Sequence, residues 1–412
     1  MSEQKVFGMK PEQGRWMFIL LGLLMNICLG SVYAFSVFKK PLQNLWDINA
    51  TQSGLPFMIF LAMFALLMAL AGGLIGKWGP KRVGLLGGVL VGAGWILAGF
   101  APSITWLTIF YGIIGGAGVG IIYGCPIAVA AKWFPDKKGL AVGLTVMGFG
   151  LSALIMAPLM RSLIANLSIG PMRTFTYLGI AFTVILVLLS LPMRVPQEGW
   201  KPAGWRGATA KGSSGVDLDR KQMVKTSTFY ALWGTYTIGC LAGLMAIGIS
   251  SPVGQEVAKL TPGMAALSVS IFAIFNGIGR PIFGWLTDKL APRNAAVLSF
   301  VLILAASAML YLWGEGSAFV YFLAFIILWM NLGGWLAIAP TATATLFGTK
   351  HYGKNYGLIF TSYGIGALLG NTLAGMIRDA SGGYLPVFLP VMGLAALGIV
   401  VSLLWLKPVK AS

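Results

Sequence analysis

The sequence predicts an all-α membrane protein of twelve transmembrane helices in two pseudo-symmetric six-helix bundles, on three observations. The 412-residue chain is 57% hydrophobic and 10% charged, with a mean hydropathy of +0.83; soluble domains carry roughly a quarter of their residues as charges. Apolar runs of about 20 residues, enough for a helix to cross the hydrocarbon core, recur along the whole chain. The two halves also echo each other at a shift of a little over 210 residues. The short alternating segments of a membrane barrel do not occur.

Runs bounded by charges, Gly and Pro place the helices at 15–37, 53–75, 82–101, 106–131, 139–163 and 173–193, then at 227–251, 264–287, 294–313, 318–347, 355–377 and 384–406. The expected organisation is an N-terminal six-helix lobe over 1–193, a cytoplasmic basic linker over 194–226 and a C-terminal six-helix lobe over 227–412. The linker is polar and rich in Gly and Ser, which suits a flexible connection.

A formal net charge of +18 invites a nucleic-acid partner, but the cations lie between the apolar runs. With the N-terminus inside, 22 of the 29 Lys and Arg fall in interior segments and six in exterior ones: Lys39, Lys40, Arg161, Arg173, Lys259 and Arg378. That bias predicts cytoplasmic termini in an inner (plasma) membrane, with the bilayer as partner and no nucleic acid. Cys28, Cys125 and Cys240 sit inside apolar runs without CxxC spacing, and His351 is the single histidine. Disulfides, metal and cofactors are therefore not expected, nor is a membrane-embedded enzyme, since the spans offer no nucleophile–base pair.

One cation is left over. Arg280 lies in an otherwise uncharged stretch, Ser268 to Thr287. A guanidinium at membrane depth normally faces a cavity or a counter-charge, and it cannot shed its proton as lysine can. Asn276, four residues earlier, shares its helix face. The pair reads as an anion site: guanidinium geometry matches a carboxylate through two parallel hydrogen bonds, and the amide can serve a further oxygen.

The repeat is concrete. Gly72–Lys77 followed by Arg82 recurs as Gly284–Lys289 followed by Arg293, and the Gly139/Gly143 pair as Gly353/Gly357. Gly112, Gly116, Gly120 and Gly124 form a small-residue stripe that permits close helix packing. A duplicated six-helix unit is the signature of a two-lobed alternating-access carrier.

These loops resemble the Gly-x-x-x-Asp-Arg/Lys-x-Gly-x-Arg/Lys motif of the major facilitator superfamily, and that fold is the expectation. The first copy has Gly76 where the family has an acid; the second keeps Asp288 and has Ala291 in place of Gly. The resemblance implies a latch between lobes built from Asp288, Lys289, Arg293, Lys77 and Arg82. More narrowly, Tyr33–Ala34–Phe35, the run from Trp133 to Leu140 (WFPDKKGL) and Asn276-x-x-x-Arg280 resemble the monocarboxylate transporters and the oxalate/formate exchangers. Members carry small carboxylates such as lactate and pyruvate, usually with a proton.

That resemblance implies a substrate pocket in which Tyr33, Tyr123, Phe149, Phe360 and Tyr363 surround Arg280 and Asn276. Two positions depart from the group: Asn276 stands where an aspartate is common, and Val37 lies near where a lysine often follows Tyr-Ala-Phe. The exchanging branch places a second cation eight residues after its Asn-Tyr-Gly; here Tyr363 follows Asn355–Tyr356–Gly357 at that distance. A single cation neutralises a monoanion and leaves a dianion half-paired in low dielectric. The expected function is symport of a small monocarboxylate, L-lactate or pyruvate, with a proton; carboxylate exchange of the oxalate/formate type is the alternative. Glu256 is the one acid near a cavity mouth and the candidate proton-coupling group.

Overall fold

The computed structural model describes residues 5–48, 50–166, 169–197, 199–202 and 216–409. Much of the predicted linker, 203–215, lies outside the described residues. Twelve of the described helices are long and apolar enough to cross a membrane. In chain order they are α1 (Pro11–Ala34), α2 (Gln52–Ala71), α3 (Gly73–Ala98), α4 (Ile104–Trp133), α5 (Lys138–Ile164), α6 (Gly170–Ser190), α7 (Ser227–Ser250), α8 (Leu267–Leu290), α9 (Pro292–Trp313), α10 (Ala318–Phe347), α11 (Tyr352–Arg378) and α12 (Leu385–Trp405).

Burial repeats with the sequence. The most apolar windows of α4 and α10 are 83% and 72% buried, whereas those of α6 and α12 are each 33% buried. The fourth helix of each six is thus enclosed and the sixth is peripheral, the pattern of two bundles related by an internal two-fold. Peripheral faces carry the exposed apolar side chains, including Leu188, Leu312 and Leu397; in a bilayer these face lipid tails rather than water.

Glycines decide which helices touch by backbone. The stripe on α4 lies against α2: a Cβ at Gly116 would come within 2.6 Å of the Phe60 carbonyl oxygen, and one at Gly120 within 2.6 Å of that of Phe64. A second seam runs between the halves, where α5 meets α8. A Cβ at Gly143 would sit 2.7 Å from the Arg280 carbonyl oxygen, and one at Gly139 2.4 Å from that of Gly284. Helices meeting through glycine approach closely without interlocking side chains.

Several boundaries differ from the sequence reading. The second and third helices are separated by a kink at Gly79 (φ 76, ψ 162) before Pro80, inside the Gly73–Ala98 span, so the helix of α2 runs on past Ala71 and no loop is spread over 76–81. The same device recurs 212 positions later at Ala291 (φ 71, ψ 156) before Pro292, a conformation that favours Gly. α1 ends in a tighter 3-10 turn over Gly30–Ala34, and a further helix, Ser36–Trp46, follows it where a loop is expected. Its Phe38 and Leu42 are fully buried, with Phe38 stacked 4.1 Å from Phe175. α4 contains a π-helical stretch, Thr108–Gly115, and helical turns of α7 continue to Glu256. Cys28, Cys125 and Cys240 are buried and free.

Candidate functional site

The site is built on α8. The run Asn276-Gly-Ile-Gly-Arg-Pro places two glycines just ahead of the arginine. Gly277 admits Leu151 of α5, and Gly279 admits the Met330 carbonyl of α10. Pro281 withholds a backbone donor at the next position. The chain is thereby thinned around one long side chain, which is drawn between neighbouring helices.

Arg280 is completely buried. One guanidinium nitrogen, Nη1, donates to the Val146 carbonyl of α5, and Nη2 donates to Asn276 Oδ1 at 3.3 Å. Asn276 Nδ2 donates in turn to the Trp329 carbonyl of α10 at 3.0 Å, which fixes the amide with its oxygen toward the arginine. The guanidinium carbon lies 5.4 Å from the centre of the Phe149 ring, within cation–π range. Nε has no hydrogen-bond partner, and among the described residues no carboxylate pairs with this cation.

The aromatic positions named from sequence converge on it from both halves. Tyr33 of α1 shares a 2.7 Å hydrogen bond with Tyr363 of α11. Phe149 of α5 meets Tyr33 edge-on at 5.0 Å and Tyr123 of α4 at 5.5 Å. Phe360 stacks on Tyr363 at 5.1 Å and reaches Tyr123 at 5.6 Å. Arg280, Asn276, Tyr33, Tyr123, Phe149, Phe360 and Tyr363 therefore form one cluster, closed from solvent in this structure. Sequence reasoning missed Phe64 of α2, whose ring touches Phe149, Tyr123, Phe360 and Tyr363. Nothing distinguishes it in sequence from other phenylalanines of an apolar run. Asn331 of α10, also buried, donates its amide to the Ile327 carbonyl on its own helix.

Glu256 also lies outside this cluster. It is half exposed and pairs with Arg378 at 3.1 Å, joining the ends of α7 and α11.

Of the five residues named for the latch, Asp288 bridges the halves. Its two carboxylate oxygens accept from the backbone N–H groups of Gly139 and Leu140, each at 3.2 Å. A carboxylate there meets the positive end of the α5 dipole. Lys77, Arg82 and Lys289 are exposed and Arg293 is part-buried. On the repeat-related side the tie comes from an unforeseen residue: Arg220 Nη2 donates to the Ala69 carbonyl at the end of α2 and to the Lys354 carbonyl of α11, at 2.9 and 3.0 Å.

The WFPDKKGL run serves a different end. Asp136 receives both guanidinium nitrogens of Arg15, at 2.7 and 3.0 Å, and Arg15 also donates to the Trp133 carbonyl and covers the Phe134 ring at 4.4 Å. The run clamps the start of α1 to the α4–α5 loop within the first half.

Two bundles of six membrane-length helices meeting around a buried cation, with no carboxylate paired to it among the described residues, have the architecture of a membrane transporter. The chain belongs to the Major Facilitator Superfamily, whose family model matches residues 19–346 and 256–412. Its relatives within that superfamily include an oxalate:formate antiporter and monocarboxylate transporters. It is 29% identical to the oxalate:formate antiporter of Oxalobacter formigenes over 89% of this chain and 86% of that one. It is 26% identical to monocarboxylate transporter 13 of Rattus norvegicus, over 95% and 90%. The fold matches the fucose:proton symporter of E. coli at a TM-score of 0.69 and 16% identity, covering 94% and 98% of the two chains.

Proposed function

We propose that this transporter carries a small monocarboxylate, L-lactate or pyruvate, in symport with a proton. The observation that carries the reading is Arg280: a fully buried permanent cation whose partners among the described residues are a carbonyl, an amide and the Phe149 ring, and not a carboxylate. A substrate carboxylate supplies the missing charge. It accepts a bidentate pair from the guanidinium in a water-poor site, where such bonds are strong. Asn276 and the tyrosine hydroxyls orient the remaining polar oxygen, and Phe149 and Phe360 enclose the apolar methyl. The lobes 1–193 and 227–412, joined by the basic linker 194–226, rock about this midplane site. The charge bias supports cytoplasmic termini in an inner (plasma) membrane.

Anion exchange of the oxalate/formate kind is the second reading, favoured by the 29% identity to the antiporter. Against it, Arg280 is the cluster's single cation among the described residues, and Tyr363 is engaged with Tyr33; one cation leaves a dianion half-paired.

The test is uptake of labelled L-lactate into proteoliposomes with and without an inward proton gradient. Gradient-driven uptake that disappears in Arg280→Ala is the expected result. Uptake that needs substrate on the far side and ignores the proton gradient replaces symport with exchange. Full uptake by Arg280→Ala overturns the site.

A further inference from the structure

We propose that the face carrying the Asp288 latch holds a second anion site, for a phosphate group, between the α2–α3 turn, the α4–α5 loop and the α10–α11 loop. There the phosphate stands in for a carboxylate that the repeat lacks.

A cavity of about 590 Å³ opens between the halves on that face, and Lys77, Lys132, Lys138, Lys350, Lys354 and His351 line it. No acid lines it among the described residues. Two carboxylates lie nearby, both committed. Asp288 holds the α5 N-terminus. Asp217 Oδ1 accepts from the backbone N–H groups of Thr349 and Lys350 at 2.8 and 3.0 Å. An adjoining cavity of about 550 Å³ adds Arg220 and Lys221. Its acid, Asp219, caps its own helix through Gln222 N at 2.8 Å. Ammonium groups converging on one space repel each other, and five of them exceed the two nearby carboxylates. The excess calls for a multiply charged anion rather than another monocarboxylate.

The internal repeat says why the cavity is there. Asp288 recurs as Gly76 at the 212-residue shift that also relates the two turn residues, Ala291 and Gly79. A Cβ built at Gly76 meets nothing within 4 Å, so the room a latch carboxylate takes up on one side stays open on the other. Tyr352 lines the same cavity at 8% exposure, and its hydroxyl has no hydrogen-bond partner. The volume suits a phosphate-bearing small molecule or a lipid headgroup. Lys77, Lys132 and Lys138 belong to the first half of the chain, Lys350 and Lys354 to the second. An anion shared among them ties the halves on this face, so its binding stabilises the state closed there and slows opening.

The experiment is thermal unfolding of the full-length protein in neutral detergent, titrated with inorganic pyrophosphate at constant ionic strength. A parallel arm uses phosphatidylcholine nanodiscs with and without phosphatidylglycerol. The expected result is a saturable rise in Tm of several degrees. Lys132→Gln combined with Lys350→Gln weakens the midpoint about tenfold. Gly76→Asp raises Tm without added anion and cuts the response at least fivefold, because the carboxylate is then built in. Arg280→Ala keeps the full response, which separates this site from the central one. A response to pyrophosphate assigns a soluble phosphate compound, and one to phosphatidylglycerol alone assigns the lipid headgroup. No response in either arm overturns the proposal, as does an unchanged midpoint in the lysine double variant, which decides the matter even if Gly76→Asp fails to fold.

Discussion

Arg15 and Arg280 are the two buried arginines among the described residues, at 8% and 0% exposure. Each donates to a backbone carbonyl and lies over a phenylalanine ring. They differ in one partner. Arg15 has Asp136, held through two nitrogens; Arg280 has an amide oxygen. A buried cation with its own carboxylate is finished as a structural element, and removing one partner strands the other. A buried cation satisfied by neutral dipoles retains an uncancelled charge, which is what an anion-binding site requires.

Four experiments break or sharpen this contrast. Arg280→Ala reduces gradient-driven lactate uptake more than 100-fold, about 2.7 kcal/mol at 1.36 kcal/mol per decade, while the protein still folds; initial rates in proteoliposomes measure it. Asn276→Asp turns the second arginine into a copy of the first. The new carboxylate, ionised at pH 8, pairs with Arg280 and raises the lactate KM about tenfold. Protonation at lower pH frees the guanidinium and restores affinity, so a KM–pH profile that stays flat refutes the pairing. Arg15→Ala or Asp136→Ala alone lowers Tm by several degrees with little change in KM. The double variant loses less than the sum of the two, since neither charge is stranded; thermal unfolding of all three decides. Tyr33→Phe and Tyr363→Phe each raise KM two- to threefold, and together hardly more than singly, because one hydroxyl pair is lost either way.

The membrane helices were legible because hydropathy at bilayer scale is a strong, repeated signal that tertiary contacts do not override. The ends were less so. The Ser36–Trp46 helix is amphipathic and too polar on one face to register as a span, and the π-helical stretch Thr108–Gly115 follows from packing that no local pattern records. For the cluster around Arg280, a charge in an apolar run was visible directly, whereas the aromatic positions needed the family resemblance. Phe64 escaped both, and so did Arg220, one cation among many in a basic segment whose carbonyl partners are set by the fold. Asp288 was readable because its motif names it, while its acceptance from Gly139 and Leu140 N–H emerges only when α5 and α8 are placed side by side.

The glycine seam between α5 and α8 has a consequence for how this protein tolerates change. At Gly139, Gly143, Gly150 and Gly284 even a methyl group would lie under 3 Å from atoms of the opposite helix, whereas at Gly234, Gly375 and Gly393 it would touch nothing. A saturation library scored for growth on the transported acid should therefore trace the seam as a line of depleted alanines crossing the molecule. Sequence drift in descendants of this chain is confined to either side of that line, and a carrier redesigned for a larger acid has to gain its space from the aromatic side of Arg280 rather than from the seam.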